Sequence, residues 1–259
     1  MIDPGAPDRV LVTGAAQGLG FAIAEAFLAS GTSRAALADL NIETLTEAVG
    51  ILGERYGSGR VIGFPVDVRD DSSVLRMTSD AVSFAGGLDA LVTCAGVISR
   101  GEAASHSWDL WQRDIEVNVG GTYRCARHAF PSLRESPAAA IVTVGSLGSF
   151  LGMPRRVSYN TSKAGILGLT RTLAAEWGPL GIRVNAIAPG FVETSMMRSG
   201  LDTGLLDERR IIDRLPLKRL GRPSEIADVA VFLASTRAAY VTGAILPVDG
   251  GVLADGTFS

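Results

Sequence analysis

Seven short runs rich in Val, Ile, Leu and Ala are spaced along the chain: Val10–Thr13, Arg34–Asp39, Val61–Val66, Ala90–Cys94, Ala140–Val144, Arg183–Ile187 and Ala244–Val248. Each is nearly continuous in hydrophobicity instead of alternating. A strand that is apolar at almost every position must be buried on both faces, as in a parallel sheet covered by helices. Helical patterns fill the intervals. Leu19–Ser30 stops at Gly31, Asn41 can cap a helix running to about Arg55, and Asp71 or Ser72 can start one ending near Ala85. Trp108–Ser132, Ser158–Trp177 and Ser224–Ser235 complete the set. Strand and helix alternate as repeated βαβ units. The expected fold class is therefore α/β, a doubly wound, seven-stranded and mainly parallel sheet with helices on both faces.

No stretch reads as a linker, so the 259 residues are expected to form one domain, with residues 1–8 as a flexible N-terminal tail. A 47% hydrophobic and 20% charged composition excludes a disordered polar chain. Twenty-four basic against 27 acidic side chains leave no basic footprint, and no nucleic-acid partner is expected. Cys94 and Cys125 lack paired spacing, and His106 and His128 form no ligand motif, so neither a disulfide framework nor a metal site is expected. Met1–Arg9 has no apolar segment of the kind a signal peptide needs. Mean hydropathy is +0.27, but the most apolar stretch, Ala138–Met153, is too short to span a bilayer. A cytoplasmic protein with reduced thiols and no membrane partner is expected.

Glycine is in excess, 31 residues in 259, against a usual share of about 7%. Three of these glycines follow the first strand in Gly14-Ala15-Ala16-Gln17-Gly18-Leu19-Gly20. A strand, a glycine loop and a helix at the start of a βαβ unit suit a dinucleotide pyrophosphate. The loop turns tightly, and the helix N-terminus offers free N–H groups and the positive end of its dipole. Asp39 closes the next strand, where a carboxylate can accept from both ribose hydroxyls and repel a 2′-phosphate. With no Lys or Arg between Gly14 and Gly20, NAD is expected over NADP. Asp67 ends the third run, on the ligand edge of a parallel sheet. It can serve an adenine amino group or be a plain turn aspartate.

Tyr159 and Lys163 stand four apart and share one helix face. A phenol with a pKa near 10 is a poor base at neutral pH, and a nearby ammonium lowers that value. Ser146 follows the buried run Ala140–Val144 at the same sheet edge, where its hydroxyl can orient a substrate oxygen.

Taken in order, Thr13-Gly14-x-x-x-Gly18-x-Gly20, Asp67, Cys94-Ala95-Gly96, Asn118, Ser146, Tyr159-x-x-x-Lys163 and Pro189-Gly190 resemble the short-chain dehydrogenase/reductase family, over essentially Arg9 to Gly251. The resemblance implies a Rossmann-type fold with cofactor and catalytic sites in one domain. It implies Tyr159 as general acid/base, Lys163 as the group that lowers its pKa and holds the nicotinamide ribose, and Ser146 as the substrate-positioning hydroxyl. Asn118 resembles the asparagine that anchors a water between Lys163 and solvent. Cofactor contacts are implied for Gly14, Gln17, Gly18, Leu19, Gly20, Asp39 and Leu40 at one end. Asp67, Val68, Cys94, Ala95 and Gly96 follow, then Tyr159, Lys163, Pro189, Gly190, Val192 and Thr194. Where the family carries Asn-Asn-Ala-Gly, this chain reads Thr93-Cys94-Ala95-Gly96, and the Thr93 hydroxyl is expected to replace the lost amide bonds.

The segment 191–215 is expected to act as a substrate lid. Val97, Ile98, Leu147, Gly148, Phe150, Met153 and Met196 are candidates for the pocket, an apolar set suited to a neutral secondary alcohol or ketone. The expected function is NAD-dependent interconversion of such a pair. The alternatives are an NADPH-dependent 3-oxoacyl thioester reductase and a non-catalytic NAD(H)-binding sensor or scaffold. The resemblance also implies a homotetramer built through Trp108–Ser132, Ser158–Trp177 and the tail from Pro247, whose Val252, Leu253 and Phe258 are apolar.

Overall fold

The computed structural model describes residues 5–204 and 206–256. Among them seven strands form one sheet: β1 (Arg9–Thr13), β2 (Arg34–Asp39), β3 (Val61–Pro65), β4 (Ala90–Thr93), β5 (Ala140–Val144), β6 (Arg183–Pro189) and β7 (Ile245–Val248). The helices are α1 (Gly18–Ser30), α2 (Ile42–Tyr56), α3 (Asp71–Ala85), α4 (Trp108–Ile115), α5 (Gly121–Arg134), α6 (Val157–Trp177), α7 (Ser195–Asp202), α8 (Glu208–Arg214) and α9 (Pro223–Ala234). The strand order is β3-β2-β1-β4-β5-β6-β7, and every pairing is parallel. Chain order reverses between β1 and β4, which opens a crevice at their carboxyl ends.

Burial on both faces explains the unbroken apolar runs. Along β1, Val10 and Val12 enter the core shared with α1, α2 and α9, while Leu11 enters the core shared with α3, α5 and α6. Phe27, Ile23 and Leu52 on one side and Leu133, Leu91 and Ile141 on the other are fully enclosed. Each contributes about 2 kcal/mol by removal from water. Gly31, in the left-handed conformation, ends α1, and Asn41 caps α2 by accepting from the N–H groups of Glu43 and Thr44. Helix α3 starts at Asp71 and ends at Ala85 as expected, with Asp70 capping it by accepting from the Ser72 N–H.

The expected continuous helix Trp108–Ser132 is corrected to α4 and α5 joined by a π turn at Glu116–Gly120, where Gly121 donates to the Glu116 carbonyl five residues back. Within the expected lid lie α7 and α8, with a small core of Met197, Ile211, Leu215 and Leu220 that Val252 joins. The expected tail is anchored from Gly5 onward. The carbonyls of Gly5, Pro7 and Asp8 accept from Thr236 N–H, Thr32 Oγ1 and Ser33 N–H at 2.9, 2.7 and 2.9 Å. Residues 1–4, Leu205 and Phe258 lie outside the described residues. No described helix is long and apolar enough to cross a membrane, and no described cluster of His, Cys, Asp and Glu could hold a metal.

Candidate active site

A cleft of about 660 Å³ runs along the carboxyl ends of β1, β2, β4, β5 and β6, under α7. At its first end lies the glycine loop. A Cβ on Gly14 would sit 2.7 Å from Ala95 Cα, and one on Gly20 would sit 2.0 Å from the Gly14 carbonyl oxygen. These two glycines let the loop pack on the β4 loop and on itself. Gly18, with φ +59°, is different: nothing lies nearer than Thr194 at 4.0 Å, so its backbone faces the open cleft. Gln17 makes no side-chain cap on α1. The first-turn N–H groups therefore point at the cleft without a protein cap, which fits an incoming pyrophosphate.

Asp39 stands at the edge of this loop. Its Oδ2 accepts from Ala16 N–H at 3.0 Å and its Oδ1 from Asn41 N–H at 3.2 Å. Each oxygen retains a lone pair for a ribose hydroxyl. Asp67 lines the cleft as expected and also accepts from the Arg69 N–H at 2.9 Å, as a turn aspartate does. Arg69 grips both its oxygens, at 3.0 Å from Nε and 2.6 Å from Nη2, and holds the carboxyl below its usual range. Arg69 itself also lines the cleft. Sequence reading missed it because nothing in Val66-Asp67-Val68-Arg69 marks the arginine as turned back on the acid.

At the other end, Tyr159, Lys163 and Ser146 converge. Ser146 ends the chain's exit from β5 and caps a single 3₁₀ turn, its Oγ accepting from Gly148 N–H at 3.1 Å. Ser149 fastens this turn to α6 by accepting from Ser146 N–H and donating to the Lys163 carbonyl at 2.8 Å. Lys163 lies 6% exposed, with Nζ 2.8 Å from the Val144 carbonyl and 5.9 Å from the Tyr159 ring centre. Asn118, on the π turn, accepts from Val97 N–H at 2.8 Å and donates to Ser162 Oγ at 2.8 Å. Ser162 in turn donates to the Tyr159 carbonyl at 2.7 Å. A Cβ on Gly96 would meet Asn118 Oδ1 at 3.2 Å and Lys163 Nζ at 3.5 Å, so any larger residue would press on the asparagine.

Burial dominates the electrostatics. It raises the Tyr159 phenol above 10, against a Ser146 hydrogen bond and the charges of Arg156 and Arg100, which pull it down. It lowers the Lys163 ammonium to about 8. Arg156 and Arg100, two cations beyond Lys163, thus also act on the phenol. Burial also pushes the Cys94 thiol up to about 11, which makes it a poor nucleophile despite its place in the cleft wall.

The expected cofactor residues Leu19, Leu40, Val68, Ala95, Pro189, Gly190, Val192 and Thr194 all line the cleft, as do Met153 and Met196. Three expectations are corrected. Gly148 does not line it: a Cβ there would lie 2.5 Å from Asn160 Oδ1, so the glycine makes room for Asn160. Phe150 lies outside it as well, 43% exposed. The Thr93 hydroxyl is buried without a partner; Thr13 Oγ1, across the sheet, accepts the Ala95 N–H instead. The pocket is also not free of charge, since Arg100, Arg113 and Arg156 join its wall. Ser195 Oγ donates to Gln17 Oε1 at 3.3 Å and ties α7 to the glycine loop across the cleft mouth.

A crevice of this kind, with a glycine loop at one end and a half-buried tyrosine and a buried lysine at the other, is built as in nucleotide-dependent oxidoreductases. A sequence model of the family described as enoyl-(acyl carrier protein) reductase matches residues 14–253. The chain is 37% identical over 247 residues to 2-(R)-hydroxypropyl-CoM dehydrogenase of Xanthobacter autotrophicus, covering 94% of this chain and 98% of that one. It is 37% identical over 241 residues to D-threitol dehydrogenase of Mycolicibacterium smegmatis, covering 93% and 91%. It spans 44% of the length of a short-chain type dehydrogenase/reductase of Sinorhizobium fredii, to which it is 38% identical over 247 residues. Among solved structures, a short-chain dehydrogenase/reductase described as glucose/ribitol dehydrogenase from Brucella melitensis superposes with a TM-score of 0.88 at 35% identity, over 96% of this chain and 98% of that one. ElxO with NADP bound gives 0.89 at 28%, over 96% and 100%. The chain belongs to the short-chain dehydrogenase/reductase family. It is an oxidoreductase of hydroxyl-bearing substrates and uses a nicotinamide cofactor.

Proposed function

We propose that the chain interconverts a secondary alcohol and its ketone with NAD, and that Tyr159 is the general acid/base. The carrying observation is that Ser146 and Tyr159 line the cleft together, with the serine hydroxyl near enough to pull the phenol's pKa down, beside buried Lys163. One substrate oxygen can then sit against both hydroxyls. The bound cofactor supplies a two-electron hydride acceptor. Ser146 holds the alcohol oxygen, and Tyr159 takes its proton as the carbinol C–H bond gives up hydride. Asn118 and Ser162 hold the Tyr159 turn of α6, and Lys163 supplies the cation near the phenol. Asp39 favours NAD, because its carboxylate repels a 2′-phosphate and the one arginine at that end, Arg69, is engaged by Asp67.

Initial rates across a panel of secondary alcohols with NAD and NADP test this. The expected result is a kcat/KM at least about tenfold higher with NAD, and a loss of about 10²–10⁴ in Tyr159→Phe. A strong NADPH preference with turnover of 3-oxoacyl thioesters would move the reading to that reductase. Unchanged turnover in Tyr159→Phe would end the catalytic role of the phenol.

We also infer a cytoplasmic homotetramer. Trp108 on α4, Tyr123 on α5 and Leu246 on edge strand β7 are exposed, and Tyr240, five residues before β7, projects fully into solvent. Apolar exposure of this kind calls for cover. Both described cysteines are free thiols, in keeping with a reducing compartment.

A further inference from the structure

The cleft wall carries an unbalanced charge at its substrate end. Its two acids, Asp39 and Asp67, stand at the far end, the first accepting from loop amides and the second from Arg69. Around Tyr159 the wall holds Arg100, Arg113 and Arg156 and no carboxylate. Arg113 is compensated, with Nη2 3.3 Å from buried Asp114 and 2.8 Å from Ser99 Oγ. Arg100 and Arg156 form no ion pair with any described residue. Arg100 Nε is moreover buried with no hydrogen-bond acceptor.

The two unpaired arginines are held close together by construction. Arg100 lies on the loop after β4 and Arg156 caps α6, and the Gly101 N–H donates to the Arg155 carbonyl at 3.0 Å, stitching the two loops. Arg155 has φ 64°, a left-handed conformation unfavourable for a residue with a Cβ. It turns outward to Glu102 at 3.2 Å, while its neighbour Arg156 faces the cleft. Of two consecutive arginines, one is thus neutralised outside and the other left bare inside. Above Arg100 lies Gly200 of α7, where a Cβ would come within 3.4 Å of Nη2. Burial and, after it, the charge of Arg100 both depress the Arg156 pKa, so the two like charges oppose one another along one wall. Half-buried cations without a counter-charge are unfavourable until an anion arrives, and two guanidinium forks are the donors best matched to one.

We propose that Arg100 and Arg156 form an anion-binding subsite, and that the substrate carries a carboxylate, sulfonate or phosphate beyond its reacting carbon. This rests on Ser146 and Tyr159 being the reacting centre. It replaces the neutral substrate expected from the apolar residues alone.

Initial rates with NAD on matched pairs test it: 3-hydroxybutyrate and 4-hydroxypentanoate against their methyl esters, then a hydroxyalkyl sulfonate and a hydroxyalkyl phosphate. The anions are expected to exceed the esters by tenfold or more in kcat/KM, mainly through KM, and the best of the three anions names the group. Arg100→Gln and Arg156→Gln should each cut the anion-to-ester ratio by about tenfold, with Arg156→Lys restoring part of it. Equal ratios in the wild type and both variants overturn the subsite and leave alcohol oxidation standing. If no compound of either charge is turned over, the alcohol–ketone reading fails instead, and melting curves in NADH decide the subsite. Saturable stabilisation by glutarate but not glutaramide, lost in Arg156→Gln, upholds it, and an equal response to acid and amide overturns it.

Discussion

The backbone N–H of Ala16 donates to Asp39 Oδ2 at 3.0 Å, so the carboxylate that ends β2 braces the glycine loop as well as walling the cleft. Replacing it should therefore cost both specificity and order. In Asp39→Ser, discrimination for NAD over NADP is expected to fall by ten- to a hundredfold, since a charge-assisted bond contributes about 1.5–3 kcal/mol. Steady-state rates with both cofactors measure this. Unfolding in urea should show a loss of about 1 kcal/mol from the freed amides.

The glycines of that loop should fail in different ways. Gly20→Ala drives a methyl into the Gly14 carbonyl, 2.0 Å away, and is expected to lower stability by 2 kcal/mol or more, on the order of an overpacked core. Gly18→Ala has room for the methyl but must hold φ +59°, at about 1–2 kcal/mol, and its methyl faces the cleft. Its main effect should be on cofactor affinity. Parallel urea and NADH-binding titrations separate the two.

Lys163 gives the fold a pH signature. Its folded pKa is lowered to about 8 from 10.5, so below pH 8 the full cost of burying the charge is present, and stability rises with pH between those values. Cys94 and Cys125, raised to about 11 and about 12 from 9.0, act in the opposite sense above pH 9. The difference between wild type and Lys163→Met isolates the lysine. Between pH 7 and 10 that difference should move in favour of the wild type by about 2–3 kcal/mol. A flat difference in urea midpoints would refute it.

Beneath the cleft, Asp114 is 0% exposed and accepts from Ser99 N–H and Oγ and from Ser158 Oγ, at 3.0, 2.7 and 2.6 Å. Ser158 also meets His106 Nε2 at 3.0 Å and immediately precedes Tyr159. Asp114→Ala is expected to cost about 3 kcal/mol in urea unfolding, because it orphans several buried donors at once. Its residual folded fraction should show a reduced kcat, through loss of the Tyr159 setting.

Exposed Leu246 and Tyr240 near the sheet edge should lie within a subunit interface. The double substitution Leu246→Asp, Tyr240→Glu is expected to convert tetramers to smaller species in multi-angle light scattering. A wild type that runs as a monomer would remove the interface altogether.

The architecture was readable because strands buried on both sides leave no polar interruption, and Gly31 and Asn41 mark helix ends by their own chemistry. The order of Ser146, Tyr159 and Lys163 was readable because two lie on one helix face and the third on a strand end. Three-dimensional adjacency was not. Arg100 and Arg156 are separated by 56 positions in the chain, and the Gly101–Arg155 bond joins the loops that carry them. Arg69 turning back on Asp67, and the idle Thr93 hydroxyl, depend on rotamers that residue type does not dictate. The π turn left no trace, because it keeps the apolar spacing of a helix on either side of itself.

That turn makes the length of the α4–α5 segment matter as much as its residue identities. A π turn takes up an extra residue relative to an α turn. Deleting one codon between Glu116 and Gly120 would let α4 run into α5 as an unbroken α-helix, with little change in helix content. Residues on one side would then rotate by about 100° relative to those on the other, and Asn118 would leave the amide of Val97 and the hydroxyl of Ser162. An in-frame deletion there would yield a protein that circular dichroism scores as intact, while the bonds holding the Tyr159 turn of α6 had come apart.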